Sequence, residues 1–303
     1  MKYFIGAAIA GTELMSRIVA LPILQICASF AASLTISLAY GESSQVTIVS
    51  AVTNEPGLPD LGGIASLYVS GLLVTGVVVA NGAPLPLSLA GVAVDVCGAP
   101  APLYAVADRA GYQQVNFPVP WEASFTFEGS NTRCVVSVKQ GSFQAIQNAY
   151  VRTFSGGDLF FTPDYIGVFQ HGSDYSRVTR NRGAQPGEAL IIYAAALPRR
   201  TVPPVATGVA APFSPLAVLP HILSCSAFRV TLYIDDSEVE PFFVGLSPGL
   251  VGVYQLNFIV PVGTSNGDHI MRVIDEWGYF HGLCFPPTLW KGSNPVILPV
   301  GVH

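Results

Sequence analysis

The chain has 303 residues, enough for about two domains of ordinary size. Half of it is apolar and only 11% is Asp, Glu, Lys or Arg, less than half the usual ~25%, which excludes a disordered chain. A net charge of −5 without any Lys/Arg cluster lacks the electrostatic footprint of a nucleic-acid binder, and 30 Gly and 24 Pro without a Gly-x-y period exclude collagen.

Residues 1–41 read as an export signal. Lys2 and Arg17 are its basic residues, Ile18 to Ala39 carry no charge, and Ala39-Tyr40-Gly41 puts small residues at −3 and −1 for cleavage before Glu42. The 22-residue apolar run is also long enough to span a bilayer, so a retained membrane anchor is the alternative. The expected location is secreted or at the cell surface, with no membrane contact after cleavage. Four cysteines follow the signal: Cys97, Cys134, Cys225 and Cys284. An even number in an exported chain predicts two disulfides. Pairing within each half of the chain gives Cys97–Cys134 and Cys225–Cys284, and pairing across halves stays open.

Beyond residue 42 the segments are short, rich in β-branched and aromatic residues, and alternate with period two. Turn residues separate them, as at Pro56-Gly57, Asn81-Gly82 and Ser265-Asn266-Gly267-Asp268. Gly111 to Pro120 recurs as Gly252 to Pro261, sharing G-x-x-Q-[VL]-N-F-x-V-P at an offset of 141 residues. The neighbourhoods correspond too. Val92 to Val96 matches Phe228 to Ile234, Ile64 to Leu72 matches Glu188 to Leu197, and Asn148 to Thr153 matches Asn294 to Pro299. A repeat of this size predicts two domains. The expected fold is all-β, with two tandem immunoglobulin-like antiparallel β-sandwiches at 42–160 and 161–303. A jelly roll is the competing fold.

Val46 to Leu72, Ala184 to Leu197, Leu246 to Pro261 and the closing Asn294 to Gly301 resemble the hallmark segments of one family. It is the uncharacterised Solibacter C-terminal domain family of exported acidobacterial proteins. The resemblance implies an exported Ig- or TIG-like β-sandwich region, often at the end of larger surface proteins. It brings no catalytic residues, because the family has no established activity. This chain departs from the pattern at Asp235-Asp236-Ser237-Glu238, where the family has a Gly-rich turn. Trp277 to Trp290 is also longer than the family's usual closing hairpin.

No zinc, haem, nucleophile-elbow or phosphate-loop motif is present, so no enzyme is expected. Asp235, Asp236, Glu238 and Glu240 offer alternating oxygens to calcium, although a solvated turn is the preferred reading. Trp277, Tyr279, Phe280, Phe285 and Trp290 offer ring faces to a sugar, against a preferred reading as core beneath a hairpin. Gln114/Asn116 and Gln255/Asn257 are expected to cap neighbouring loops. The expected function is adhesion or assembly by an exported non-enzymatic protein. Its partners would be a protein or glycan at the cell surface or a second copy of the chain, with no nucleic acid. A carbohydrate-binding module using Trp277–Trp290 and a secreted hydrolase are the rivals.

Overall fold

The computed structural model describes residues 46–109, 111–128, 131–152, 157–197, 200–219, 228–277, 279–280, 283–284 and 291–301. The expected signal at 1–41 lies outside them, as do Cys225, Phe285 and Trp290. Among the described residues there is no helix, and none therefore long and apolar enough to cross a membrane.

The first group of strands is β1 (Thr47–Ser50), β2 (Leu58–Pro59), β3 (Ile64–Val69), β4 (Val77–Val79), β5 (Val92–Val96), β6 (Ala99–Ala101), β7 (Ala105–Asp108), β8 (Gln113–Pro118), β9 (Thr126–Glu128), β10 (Asn131–Gln140) and β11 (Phe143–Arg152). They form two sheets, ordered β1-β3-β8-β7-β4 and β2-β11-β10-β5-β6. The second group is β12 (Asp158–Leu159), β13 (Phe169–His171), β14 (Ala189–Ala195), β15 (Phe228–Ile234), β16 (Ser237–Val239), β17 (Phe243–Leu246), β18 (Tyr254–Ile259), β19 (Gly267–Trp277), β20 (Tyr279–Phe280), β21 (Leu283–Cys284), β22 (Lys291–Gly292) and β23 (Val296–Val300). One sheet runs β12-β14-β18-β17; the other runs β16-β15-β19, with β22 and β23 both on β19. β12, at Asp158–Leu159, pairs with β14 of the second group.

Period-two alternation decides which side chains go inside. In the first group, Ala65, Leu67 and Val69 of β3, Val115 and Phe117 of β8, Val92, Val94 and Val96 of β5, and Val136 and Val138 of β10 join one buried cluster drawn from both sheets. In the second, Leu190 and Ile192, Leu256 and Phe258, Leu232 and Ile234, and Met271 and Val273 do the same.

The repeated Gln-x-Asn lies on the opposite face of its strand. Asn116 stands between Ser66 of β3 and Ala105 of β7, and Asn257 stands between Ile191 of β14 and Phe243 of β17. In both copies the Gln Nε2 donates to the Asn Oδ1 two residues on, at 2.9 Å. The pair is therefore bonded along its own strand. A further donor reaches the Gln Oε1 in each copy, Arg109 Nε at 3.2 Å and Ser247 Oγ at 3.2 Å. The expected match of Asn148 with Asn294 shifts by three residues. Cross-strand partners align Ala149, opposite Cys134, with Leu298, opposite His269, and so Asn148 with Ile297.

The two groups are joined by more than the chain. Ala51, Val52 and Ile64 pack with Phe160, Ile191, Tyr193 and Ala195 in a third buried cluster. Asp158, almost fully buried, accepts from Ser50 Oγ at 2.6 Å and pairs with Arg152 at 3.3 Å. The long connection between β14 and β15 then reaches back over the first group. There Arg200 Nη2 donates to the Trp121 carbonyl at 3.0 Å, the Trp121 amide donates to Thr207 Oγ1 at 3.0 Å, and the Leu85 amide donates to the Gly208 carbonyl at 2.8 Å.

Candidate functional site

β10 and β11 are ten residues each and turn through Gly141-Ser142, where Gly141 takes φ +56°, a conformation that favours glycine. Their inward positions are small or β-branched: Cys134, Val136 and Val138 on β10, Ala145, Ala149 and Val151 on β11. The outward positions form rows across the sheet. Arg133 faces Tyr150, Val135 faces Asn148, Ser137 faces Ile146, and Lys139 faces Gln144. The Ser137 row continues through Asp95 of β5 to Pro100 of β6.

Three large apolar side chains on this face are open to solvent: Val135 at 52%, Ile146 at 59% and Tyr150 at 44%. Val135 sits diagonally from both Ile146 and Tyr150, within reach on one sheet face, so the three make a stripe. An open apolar stripe rimmed by Arg, Lys, Asp, Asn and Gln is the surface feature that calls for an explanation. Sequence alone does not mark it, because an Ile in an alternating strand reads as core until the register is known.

The residues singled out from sequence fall differently. Cys97 and Cys134 form a disulfide across the β5–β10 pair, with Cα atoms 5.3 Å apart. Cys225 lies outside the described residues, and Cys284 is described only as backbone in β21. Trp277 ends β19, and Tyr279 and Phe280 form a two-residue ladder with Leu283 and Cys284. Their side chains, and Trp290 entirely, lie outside the described residues.

The acidic turn is committed elsewhere. Asp235 Oδ2 accepts from His269 Nδ1 at 2.6 Å, and its Oδ1 accepts from the Ile270 amide at 2.9 Å. The hydrogen bond from His269, with that from the Ile270 amide, holds the Asp235 carboxyl below the ordinary carboxylate range. Asp236 and Glu238 are exposed on the same turn, and no three acidic, His or Cys side chains converge among the described residues. Both Asp235 oxygens are therefore engaged by protein donors.

One buried titratable pair remains. His171 Nδ1 lies 2.6 Å from Glu188 Oε1, while its Nε2 is buried without a partner among the described residues. Among the described residues no hydroxyl reaches that nitrogen. At the junction of the two groups, Gly62, Val119, Trp121, Thr207, Leu246 and Tyr254 line a cavity of about 20 Å³, room for a single water.

No family model matches the chain, and no curated protein does. Among solved structures it is similar to the mixed-linkage glucan utilization locus protein SGBP-B of Bacteroides ovatus, in complex with a heptasaccharide. The identity is 12% and the TM-score 0.21, over 86% of this chain and 48% of that one. The chain thus spans about half the length of that protein. A putative DNA-binding protein from Bacteroides vulgatus matches at 13% identity and TM-score 0.21, over 70% of this chain and 69% of that one. A chimeric titin Z1Z2 tandem matches at 13% identity and TM-score 0.19, over 80% of this chain and 93% of that one.

Proposed function

We propose that this is an exported, non-enzymatic protein of two tandem immunoglobulin-like sandwiches that acts in adhesion or assembly. Its binding face is the outward side of β6-β5-β10-β11. The open stripe of Tyr150, Val135 and Ile146 carries the reading. The fold assignment is supported by strand order. β1-β3-β8-β7 opposite β11-β10-β5-β6, and β12-β14-β18-β17 opposite β23-β19-β15-β16, follow the immunoglobulin arrangement of one four-stranded sheet over a second. Export is supported by the Cys97–Cys134 bond, which belongs in an oxidising compartment. We also place the chain beside the Solibacter C-terminal domain family, since the segments that resemble its hallmarks build β1 to β3, β14, β18 and β23.

A flat face with one tyrosine among aliphatic and polar side chains suits a protein surface better than a sugar, which stacks on clustered rings. A second copy of the chain is the first partner to test. Sedimentation of the full chain should show concentration-dependent association, abolished by Ile146→Asp at unchanged thermal stability. A monomer at every concentration, with glycan binding that survives Ile146→Asp, would overturn this reading.

A further inference from the structure

The turn between β5 and β6 and the turn between β15 and β16 occupy the same place in two copies of one topology. Val96 pairs with Val136, and Ile234 pairs with Met271. The next residue, Cys97 or Asp235, has φ +50° in both copies. Its amide donates to the facing strand in both, Cys97 to the Val135 carbonyl at 2.8 Å and Asp235 to the Ile270 carbonyl at 2.7 Å. Two residues before Val136 stands Cys134, and two residues before Met271 stands His269. Where the first copy places its disulfide, the second places the Asp235–His269 pair.

We propose that Asp235 and His269 are an ionic staple substituting for the disulfide, so that pH governs this corner as redox state governs the other. The ring geometry demands the charge. His269 Nδ1 faces the Asp235 carboxylate at 2.6 Å and Nε2 faces the Ser265 carbonyl at 2.9 Å. Neither oxygen can donate, so both ring nitrogens must carry protons, and loss of either leaves a largely buried nitrogen facing an acceptor.

The surroundings agree. Asp268 precedes His269 on β19 and is held by Arg180 at 3.0 Å, which also binds Asp164 at 3.0 Å. Asp236 and Glu238 sit on the Asp235 turn, and β23 presents the uncharged Leu298 opposite His269. Burial alone would lower the His269 pKa; the Asp235 hydrogen bond, the Ser265 carbonyl and the charges of Asp235 and Asp268 outweigh it and raise it. A raised imidazole pKa contributes stability that is whole below about pH 6.5 and is lost as pH rises through the folded value. The lowered Asp235 contributes above about pH 4, so the staple is at full strength between these limits.

Hydrogen exchange on the full chain, corrected for intrinsic rates, tests this at the Asp235 and Ile270 amides. Between about pH 5.5 and about pH 8.5 their protection should fall several-fold, while that of the Cys97 amide holds. Asp235→Asn should show low protection at both pH values. The double variant Asp235→Cys/His269→Cys, treated with oxidised glutathione, should lose two electrons and two protons from its thiols to form a disulfide. It should then be protected at both pH values. The proposal is overturned if the wild-type corner shows no pH dependence, or if Asp235→Asn keeps the wild-type profile. It is equally overturned if the paired cysteines stay reduced where Cys97 and Cys134 are oxidised, because the two corners are then not equivalent.

Discussion

The two halves share a backbone plan but differ in how much surrounds the Gln-Asn pair. In the first, Ser66 Oγ also donates to Asn116 Oδ1 at 3.0 Å, and Ser66, Gln114 and Asn116 are all buried. In the second, Ile191 stands where Ser66 does, and Gln255 is only partly buried. The side-chain bond along the strand persists while its neighbours change. What the duplication preserves is an interaction internal to one strand, which survives whatever packs on it. What it exchanges are contacts between strands, where an apolar pair or a polar one fills the same place.

Three sets of variants set the two halves against each other. Phe117 and Phe258 are fully buried equivalents, so Phe117→Ala and Phe258→Ala should each cost about 3–5 kcal/mol in chemical denaturation. If each variant moves only one of two transitions, the halves unfold separately; a common shift would mean that the junction couples them. Removing the Cys97–Cys134 bond by double alanine substitution should cost about 2–4 kcal/mol in the first half. Asn116→Ala leaves Gln114 and Ser66 short of a buried acceptor and should cost about 1–3 kcal/mol, whereas Asn257→Ala, which strands only Gln255, should cost less. Equal costs would mean that the buried serine adds nothing.

The repeat, the all-β class and the Cys97–Cys134 pair were legible because each rests on local pattern: alternation, turn residues, cysteine count. Tyr254, Leu256, Phe258 and Val260 point into the core as their alternation predicts. The corner pair was hidden because the spacing between copies drifts. Ser66 aligns with Ile191, Val96 with Ile234, Val136 with Met271, and Ala149 with Leu298, four different offsets produced by loops of unequal length. Only cross-strand register brings Asp235 and His269 onto the places of Cys97 and Cys134. The open stripe was hidden for a related reason: alternation says that Ile146 and Val135 face opposite to Ala145 and Val136, but not which face meets water.

The connection that crosses from the second half to Trp121 and Leu85 makes these halves poor candidates for separation. Expressed alone, one piece would bare Ala51, Val52 and Ile64, and the other Ile191, Tyr193 and Ala195. A protease nick between Arg152 and Asp158 would sever the peptide thread yet leave the buried apolar seam, the Ser50–Asp158 bond and the clasp at Thr207 and Gly208 intact. A nicked sample should therefore run as two bands in denaturing gels and as a single particle in native ones.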